Sequence, residues 1–315
     1  MRRWIASLLL VVTTIFHQAC TAAPQTPGRS FHFVAMNQPS RDNENVLRKA
    51  FGKLERIRPA FAIVNGIKSD TESCSDELYT ERKNLVADTR FPVIISLSNE
   101  DWVNCKNGKG ESVAIERLIR LKEIFFENAY SPDDTPLQLT RQSLGNRFSN
   151  YPENAYWHMN SILFATIHMP ADNNHYVAAA GRNNEFEDRT IANKNWLDRL
   201  FRMASRHHYK GIVLVSDGNP FTTGPQNEQF ATKRDGFYEI RQKLNSLVSH
   251  YPGRVLFIYG HGTGPSAEII WKGRLGTLGL RPEWTRIDIN LQTPTLFRVE
   301  PVIRKASASR KKQTR

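Results

Sequence analysis

Along the chain, short apolar runs alternate with segments whose apolar residues recur three or four positions apart. Ser30–Met36 (SFHFVAM) alternates as a strand does, and Asn43–Ile57 places Val46, Leu47, Ala50, Phe51 and Leu54 on one helical face, with Pro59 ending the helix. Two apolar runs, Ala62–Val64 and Pro92–Leu97, stop abruptly in small and polar residues, with a helix predicted near Asp76–Asp88 between them. An amphipathic helix follows over Glu111–Phe126, with Val113, Ile115, Leu118, Ile119 and Phe125 as its apolar set. The stretch Glu127–Pro152 is polar and reads as a long irregular connection. The runs AYWHM and SILFATIHM, parted by Asn160-Ser161, predict a hairpin. Ala171–Thr190 reads as a loop and Ala192–Ser205 as a helix. A buried strand over Gly211–Val215, a helix near Phe237–Ser249, a strand over Arg254–Tyr259 and two last strands near 285–290 and 295–301 complete the pattern. This rhythm predicts an α/β protein with crossover helices, and without a repeat or a Pro/Gly/Ser linker it predicts one domain.

Composition narrows the picture at the two ends. A chain of 315 residues that is 40% hydrophobic and 23% charged is that of a globular protein rather than a disordered one. Arg2 and Arg3, the apolar run Ile5–Phe16 and the small residues of CTAAP read as a signal peptide over residues 1–22, its apolar run too short to span a bilayer. Cleavage is expected near Ala22; the competing reading is a lipoprotein anchored through Cys20. The domain then runs from 23 to 303 and a basic tail from 304 to 315. Arg304, Lys305, Arg310, Lys311, Lys312 and Arg315 stand in that tail without an acid, so taking them and the two leader arginines from the net +12 leaves +4 for the body. Having nothing apolar to bury, the tail reads as disordered: a solvated terminus, or a contact for anionic surfaces and polyanions. It lacks the interleaved aromatics that single-stranded nucleic acid would call for.

Export also gives meaning to the cysteines. With Cys20 removed, Cys74 and Cys105 remain, each just beyond one of the abrupt strand ends, and in an oxidising compartment they are expected to form a disulfide; two buried thiols are the alternative. A structural zinc site would need more ligands than this pair offers.

The strand ends carry Asn37, Gly66, Asn99-Glu100-Asp101, Asp217 and His261. In sheets with crossover helices, ligands bind at the carboxyl ends of strands, and a mixture of Asn, Asp, Glu and His suits a hard or borderline metal ion. Each tip alone is equally ordinary turn chemistry. His207-His208 is expected to cap a helix end, and Trp102 and His168 to pack or anchor loops.

Taken in order, IVNGIKSDTESCSDELYTER, ISLSNEDWVNC, FSNYPENAYW, ILFATIHMPADNN, IVLVSDGNP and IYGHGTG resemble a bacterial exported branch of the calcineurin-like metallophosphoesterases, over about Phe31 to Pro301. The resemblance implies a four-layer α/β/β/α sandwich with two metal ions above the strand ends. Such ions clamp the attacking and leaving oxygens of a phosphoester, which requires a bridging carboxylate plus His, Asp and Asn ligands. Against that pattern, Asn37 and Pro39 stand for an Asp and a His, Gly66 for the bridging Asp, Glu100 for the His that follows the Asn, Asp217 near a usual His, and Thr263 for a second His. Asn99 and His261 match. Two carboxylates fewer would leave two divalent ions repelling each other over too few ligands. The expectation is therefore a divalent metal reduced or absent relative to the family, with Asn99, His261 and Asp217 as candidate ligands and Asp70, Glu100 and Asp101 as further acids for a single ion. The function implied is that of an exported, catalytically impaired pseudoenzyme that binds or scaffolds, its ligand a phosphoester or a polyanion. The alternative is a divergent phosphoesterase with an incomplete or single-metal site.

Overall fold

A computed structural model describes residues 30–38, 44–127, 137–177, 181, 183–221, 234–263 and 267–300. The expected signal peptide with Cys20, Pro39 and the basic tail lie outside the described residues.

Strand β1 (Phe31–Asn37) is followed by α1 (Glu44–Ile57), β2 (Ala62–Asn65), α2 (Asp76–Ala87), β3 (Val93–Ser96), α3 (Ala114–Phe126), β4 (Thr140–Arg141), β5 (Ala155–Met159) and β6 (Ile162–Thr166). Then come α4 (Asn184–Arg206), β7 (Gly211–Ser216), α5 (Tyr238–His250), β8 (Arg254–Tyr259), β9 (Ile270–Lys272), β10 (Leu275–Gly279), β11 (Thr285–Ile289) and β12 (Phe297–Glu300). They form a five-stranded sheet in the order β12-β11-β1-β2-β3 and a seven-stranded sheet in the order β4-β5-β6-β7-β8-β10-β9. β1, β2 and β3 run parallel, as do β6, β7 and β8. Parallel strands are covered on both faces, which is why they read as unbroken apolar runs.

Alternation along β1 sets the layers. Phe33 and Ala35 face the seven-stranded sheet, where Phe61, Trp157 and Phe164 join them; the Phe61 ring lies 5.0 Å from that of Phe164 and 5.5 Å from that of Trp157, both edge to face. Val34 and Met36 face the other way, against Leu47 and Leu54 of α1 and Leu118 and Leu121 of α3. Beyond the second sheet, Leu163, Ile212 and Leu214 pack on Trp196 and Leu200 of α4 and on Ile240 and Leu244 of α5. These three apolar layers order the molecule as helices, sheet, sheet, helices.

Helix α4 begins at Asn184, eight positions before the expected start, because the polar residues that look like loop are buried partners: Arg189 is fully buried and donates to Glu185 Oε1 at 2.6 Å and to the Asn174 carbonyl at 3.0 Å. On α3 the buried stripe is Ala114, Leu118, Leu121 and Phe126, leaving Ile115 and Ile119 exposed; on α1, Val46 is 38% exposed. The irregular stretch 127–152 contains β4, and β9–β10 is an antiparallel hairpin turned at Gly273-Arg274, an element the sequence pattern does not predict. The hairpin of β5 and β6 is as expected, and His207 terminates α4 with its backbone N–H donating to the Met203 carbonyl. Among the described residues, no helix is long and apolar enough to cross a membrane.

Candidate functional site

The parallel strands of both sheets deliver their carboxyl ends to one place. Register sets Asn37 of β1 beside Asn65 of β2, and Asn65 beside Ser96 of β3. A 3-10 turn over Asn99–Asp101 follows β3, Asp217 follows β7, and His261 follows β8 in a left-handed conformation, φ 56°.

Asn65 is the side chain that reaches across. Its Nδ2 donates to Asn37 Oδ1 at 2.7 Å and to Asp217 Oδ1 at 2.8 Å, joining the two sheets through one buried amide. Those two acceptors dictate which way the amide faces, since the opposite orientation would set three oxygens together. The other Asp217 oxygen accepts from the backbone N–H of Asn99 and of Ala171, each at 2.8 Å. Two glycines make the approach close enough. A Cβ on Gly260 would lie 2.5 Å from Asn65 Nδ2 and 2.7 Å from Asp217 Oδ1. Gly66 has φ +80°, and a Cβ there would meet Ser98 Oγ at 2.7 Å, so no side chain stands where the family resemblance sets the bridging carboxylate.

His261 Nε2 lies 3.4 Å from Asp217 Oδ1 and 3.5 Å from Glu100 Oε1. Its contacts with Asp217 and Glu100 push the imidazole up to about 11, so it is a cation at neutral pH. Burial pushes the Glu100 carboxyl up, but the His261 hydrogen bond and charge outweigh it and hold that carboxyl below its ordinary range. The half-buried Asp172, which the sequence did not single out, is pushed up by burial and by Glu100; it accepts from Asn99 Nδ2 at 3.2 Å.

Asp101 is drawn elsewhere. One of its oxygens accepts the N–H groups of Ile67 at 2.9 Å and Lys68 at 3.2 Å, and the other accepts that of Ser98 at 2.7 Å, tying the β2 tip to the β3 tip. Burial pushes its carboxyl up to about 7, against the Ile67 and Ser98 donors that favour the charged form. The Cys74–Cys105 disulfide, with Cα atoms 5.9 Å apart and a sequence separation of 31, staples the same two loops. By chain entropy that closure stabilises the fold by about 3–4 kcal/mol. Asp70 and Thr263 are exposed. Of the candidate ligands, Glu100, Asp217 and His261 come together, with ligand atoms all within 4.8 Å of one another. Asn99 stands beside them with its Oδ1 buried and without a partner among the described residues.

Tested against two metal ions, this set does not fit. Metals need converging lone pairs, whereas the amide N–H of Asn65 points into the space between Asn37 and Asp217, and both Asp217 oxygens are already taken by N–H donors. The sequence missed Asn65 because an Asn beside a Gly at a strand end is also an ordinary turn signal. Its place directly before Gly66, on a strand between two others that carry site residues, was the available clue.

No protein-family profile and no curated protein matches the chain. Among solved structures it is similar to one described as the structure of PhoD, with a TM-score of 0.53 and 11% identity, over 85% of this chain and 65% of that one. The chain thus spans just under two thirds of that protein's length. Weaker likenesses, too low in shape agreement to argue from, are to a predicted phosphoesterase from Streptococcus pneumoniae TIGR4 and to the sulfate thiohydrolase SoxB from Thermus thermophilus. The first has a TM-score of 0.31 and 10% identity over 87% of this chain and 99% of that one; the second has 0.35 and 11% over 88% and 57%. At such identities the likeness shows the fold alone, a two-sheet α/β architecture.

Proposed function

We propose that the protein is an exported pseudoenzyme: a phosphoesterase-type scaffold that no longer builds the two-metal centre and acts as a binding or scaffold protein through its former cleft. The observation that carries this reading is the Asn65 amide, donating to Asn37 Oδ1 and Asp217 Oδ1 where a two-metal site needs a bridging acceptor. The protonated His261 between Glu100 and Asp217 supports it by neutralising the remaining acids from within. Export is supported by the leader-like start and by the disulfide, a bond that persists in oxidising compartments.

A second reading is a divergent phosphoesterase that holds one ion. The convergence of Glu100, Asp217 and His261 within 4.8 Å favours it. An ion held there would supply Lewis-acid chemistry to a phosphoester, and His261 would have to give up its proton first. Hydrolysis of an aryl phosphate ester by the purified protein, with manganese, zinc or magnesium supplied, separates the two readings. The pseudoenzyme shows no turnover above that of its His261→Ala variant. Metal-dependent turnover that His261→Ala abolishes would replace this reading with the second.

A further inference from the structure

At the opposite pole of the molecule the charge is arranged differently. The amino-terminal ends of β7, β8 and β10 and the turn between β11 and β12 border an open, surface-facing cavity of about 500 Å³, lined by Lys210, Arg254, Arg274, Gln292, Thr293 and Leu296 among others. Both sheets contribute to it. It lies at the far ends of the strands that carry Asp217 and His261, so it is separate from the site described above.

Three cations face this cavity, and no Asp or Glu lines it. Each is held in place by a backbone carbonyl rather than by a carboxylate. Lys210 Nζ donates to the Leu291 carbonyl at 3.1 Å, Arg254 Nη1 to that of Gly273 at 3.2 Å, and Arg274 Nη1 to that of Tyr251 at 3.0 Å. The Arg254 guanidinium is further fixed over the Trp271 ring, 4.9 Å from its centroid. A carbonyl orients a cation without cancelling its charge, and each guanidinium keeps most of its donors free. Ordering these long side chains beforehand lowers the entropy a ligand would otherwise have to overcome. The body of the protein carries only about a third of the net charge, +4 of +12, so three unneutralised cations in one cavity are not a sample of a generally basic surface.

We infer that this cavity is a ligand site for a small phosphate-bearing anion. Guanidinium forks match phosphate oxygens two at a time, and three positive charges complement a doubly or triply charged ligand better than a single carboxylate. The volume falls within the ~300–1,000 Å³ usual for small-molecule sites. Thr293 and Gln292 on the rim add neutral hydrogen-bonding groups, and buried Leu291 and Leu296 provide an apolar side.

Inorganic pyrophosphate is the probe, titrated calorimetrically into the purified protein in chelated, low-salt buffer. One saturable site is expected, weakened about tenfold or more in the double variant Arg254→Gln, Arg274→Gln, where charge-assisted hydrogen bonds are lost. Thr293→Glu, at an exposed position that cannot disturb the core, is expected to weaken it similarly by placing an acid in the cavity. A second arm uses phosphatidylcholine vesicles containing phosphatidic acid. Vesicle binding lost in the double variant places the phosphate on a lipid headgroup, and vesicle binding unaffected by it places the phosphate on a soluble ligand; both support the site. No saturable pyrophosphate binding, or binding that both cavity variants leave intact with circular dichroism unchanged, overturns it. Because the cavity and the strand-end site share no residue, failure of this inference leaves the pseudoenzyme reading untouched, and the reverse also holds.

Discussion

The two poles of the seven-stranded sheet treat charge in opposite ways. Where β7 and β8 end, every acid has an internal partner: Asp217 takes N–H groups from Asn65, Asn99 and Ala171, Glu100 faces His261, and Asp101 takes three backbone N–H groups. Where the same strands begin, Lys210, Arg254 and Arg274 are tethered to carbonyls and stay charged. A polar group satisfied by the protein itself is lost to a ligand, while one merely oriented by the protein remains available to it. At the strand-end pole the acids are satisfied from within while the Asn99 Oδ1 stays without a partner among the described residues; at the opposite pole the cations are oriented but not neutralised.

The strongest way to break this contrast is to remove an anchor of the strand-end pole. Asp101→Ala would leave the N–H groups of Ile67, Lys68 and Ser98 buried without an acceptor, and a loss of about 3–5 kcal/mol is expected in urea unfolding. A loss within a few tenths of a kcal/mol would mean that water replaces the carboxylate and that the tip is more open than described. Next in size is the disulfide. Cys74→Ser with Cys105→Ser is expected to cost about 3–4 kcal/mol, read in the same way, with pyrophosphate binding at the other pole retained.

Acid sharpens the contrast further. Beneath the strand-end pole, His168 packs edge-on against Trp102 at 5.6 Å, and its Nδ1 lies 3.1 Å from Glu153 Oε1, which Lys122 Nζ also reaches at 2.9 Å. Burial holds the His168 imidazole below its ordinary value, with nearby Arg189 and Lys122 adding to the effect against the pull of Glu153. Burial pushes the Glu153 carboxyl up, but Lys122 and His168 bring it below the usual range. Both groups therefore bind fewer protons folded than unfolded. The stability that these two groups contribute is expected to be fully present above about pH 6.5, to fall as His168 would be protonated in the unfolded chain, and to fall again below about 4.5 with Glu153, while Asp101 and His261, both pushed up, contribute with the opposite sign. His168→Gln should remove the first step of this decline in urea midpoints measured between pH 7.5 and 5; a decline of the same size in that variant would assign it elsewhere.

Much of this was legible in the amino-acid order. The buried parallel strands announced themselves as apolar runs because both of their faces are covered, and their polar tips stood out against them. The pairing of Cys74 with Cys105 was legible as two cysteines at neighbouring tips in a chain expected to be exported. What could not be read were polar residues turned inward. Arg189 looks like loop until Glu185 and Asn174 are seen around it, and Asn65 looks like a turn former until Asn37 and Asp217 are found within reach. Linear patterns report the side of an element a residue occupies, not the partner on the other sheet. The three cations of the opposite pole, separated by up to 64 positions between Lys210 and Arg274, were hidden for the same reason.

The strand-end pole is tested most directly by the metal content of the purified protein, measured by elemental mass spectrometry after dialysis against metal-free buffer. Self-satisfied acids predict no stoichiometric manganese, iron, zinc or magnesium, with the fold intact by circular dichroism. Stoichiometric metal that His261→Ala removes would contradict the account, and would mean that the hydrogen bonds of Asn65 and His261 yield to an ion rather than replace it.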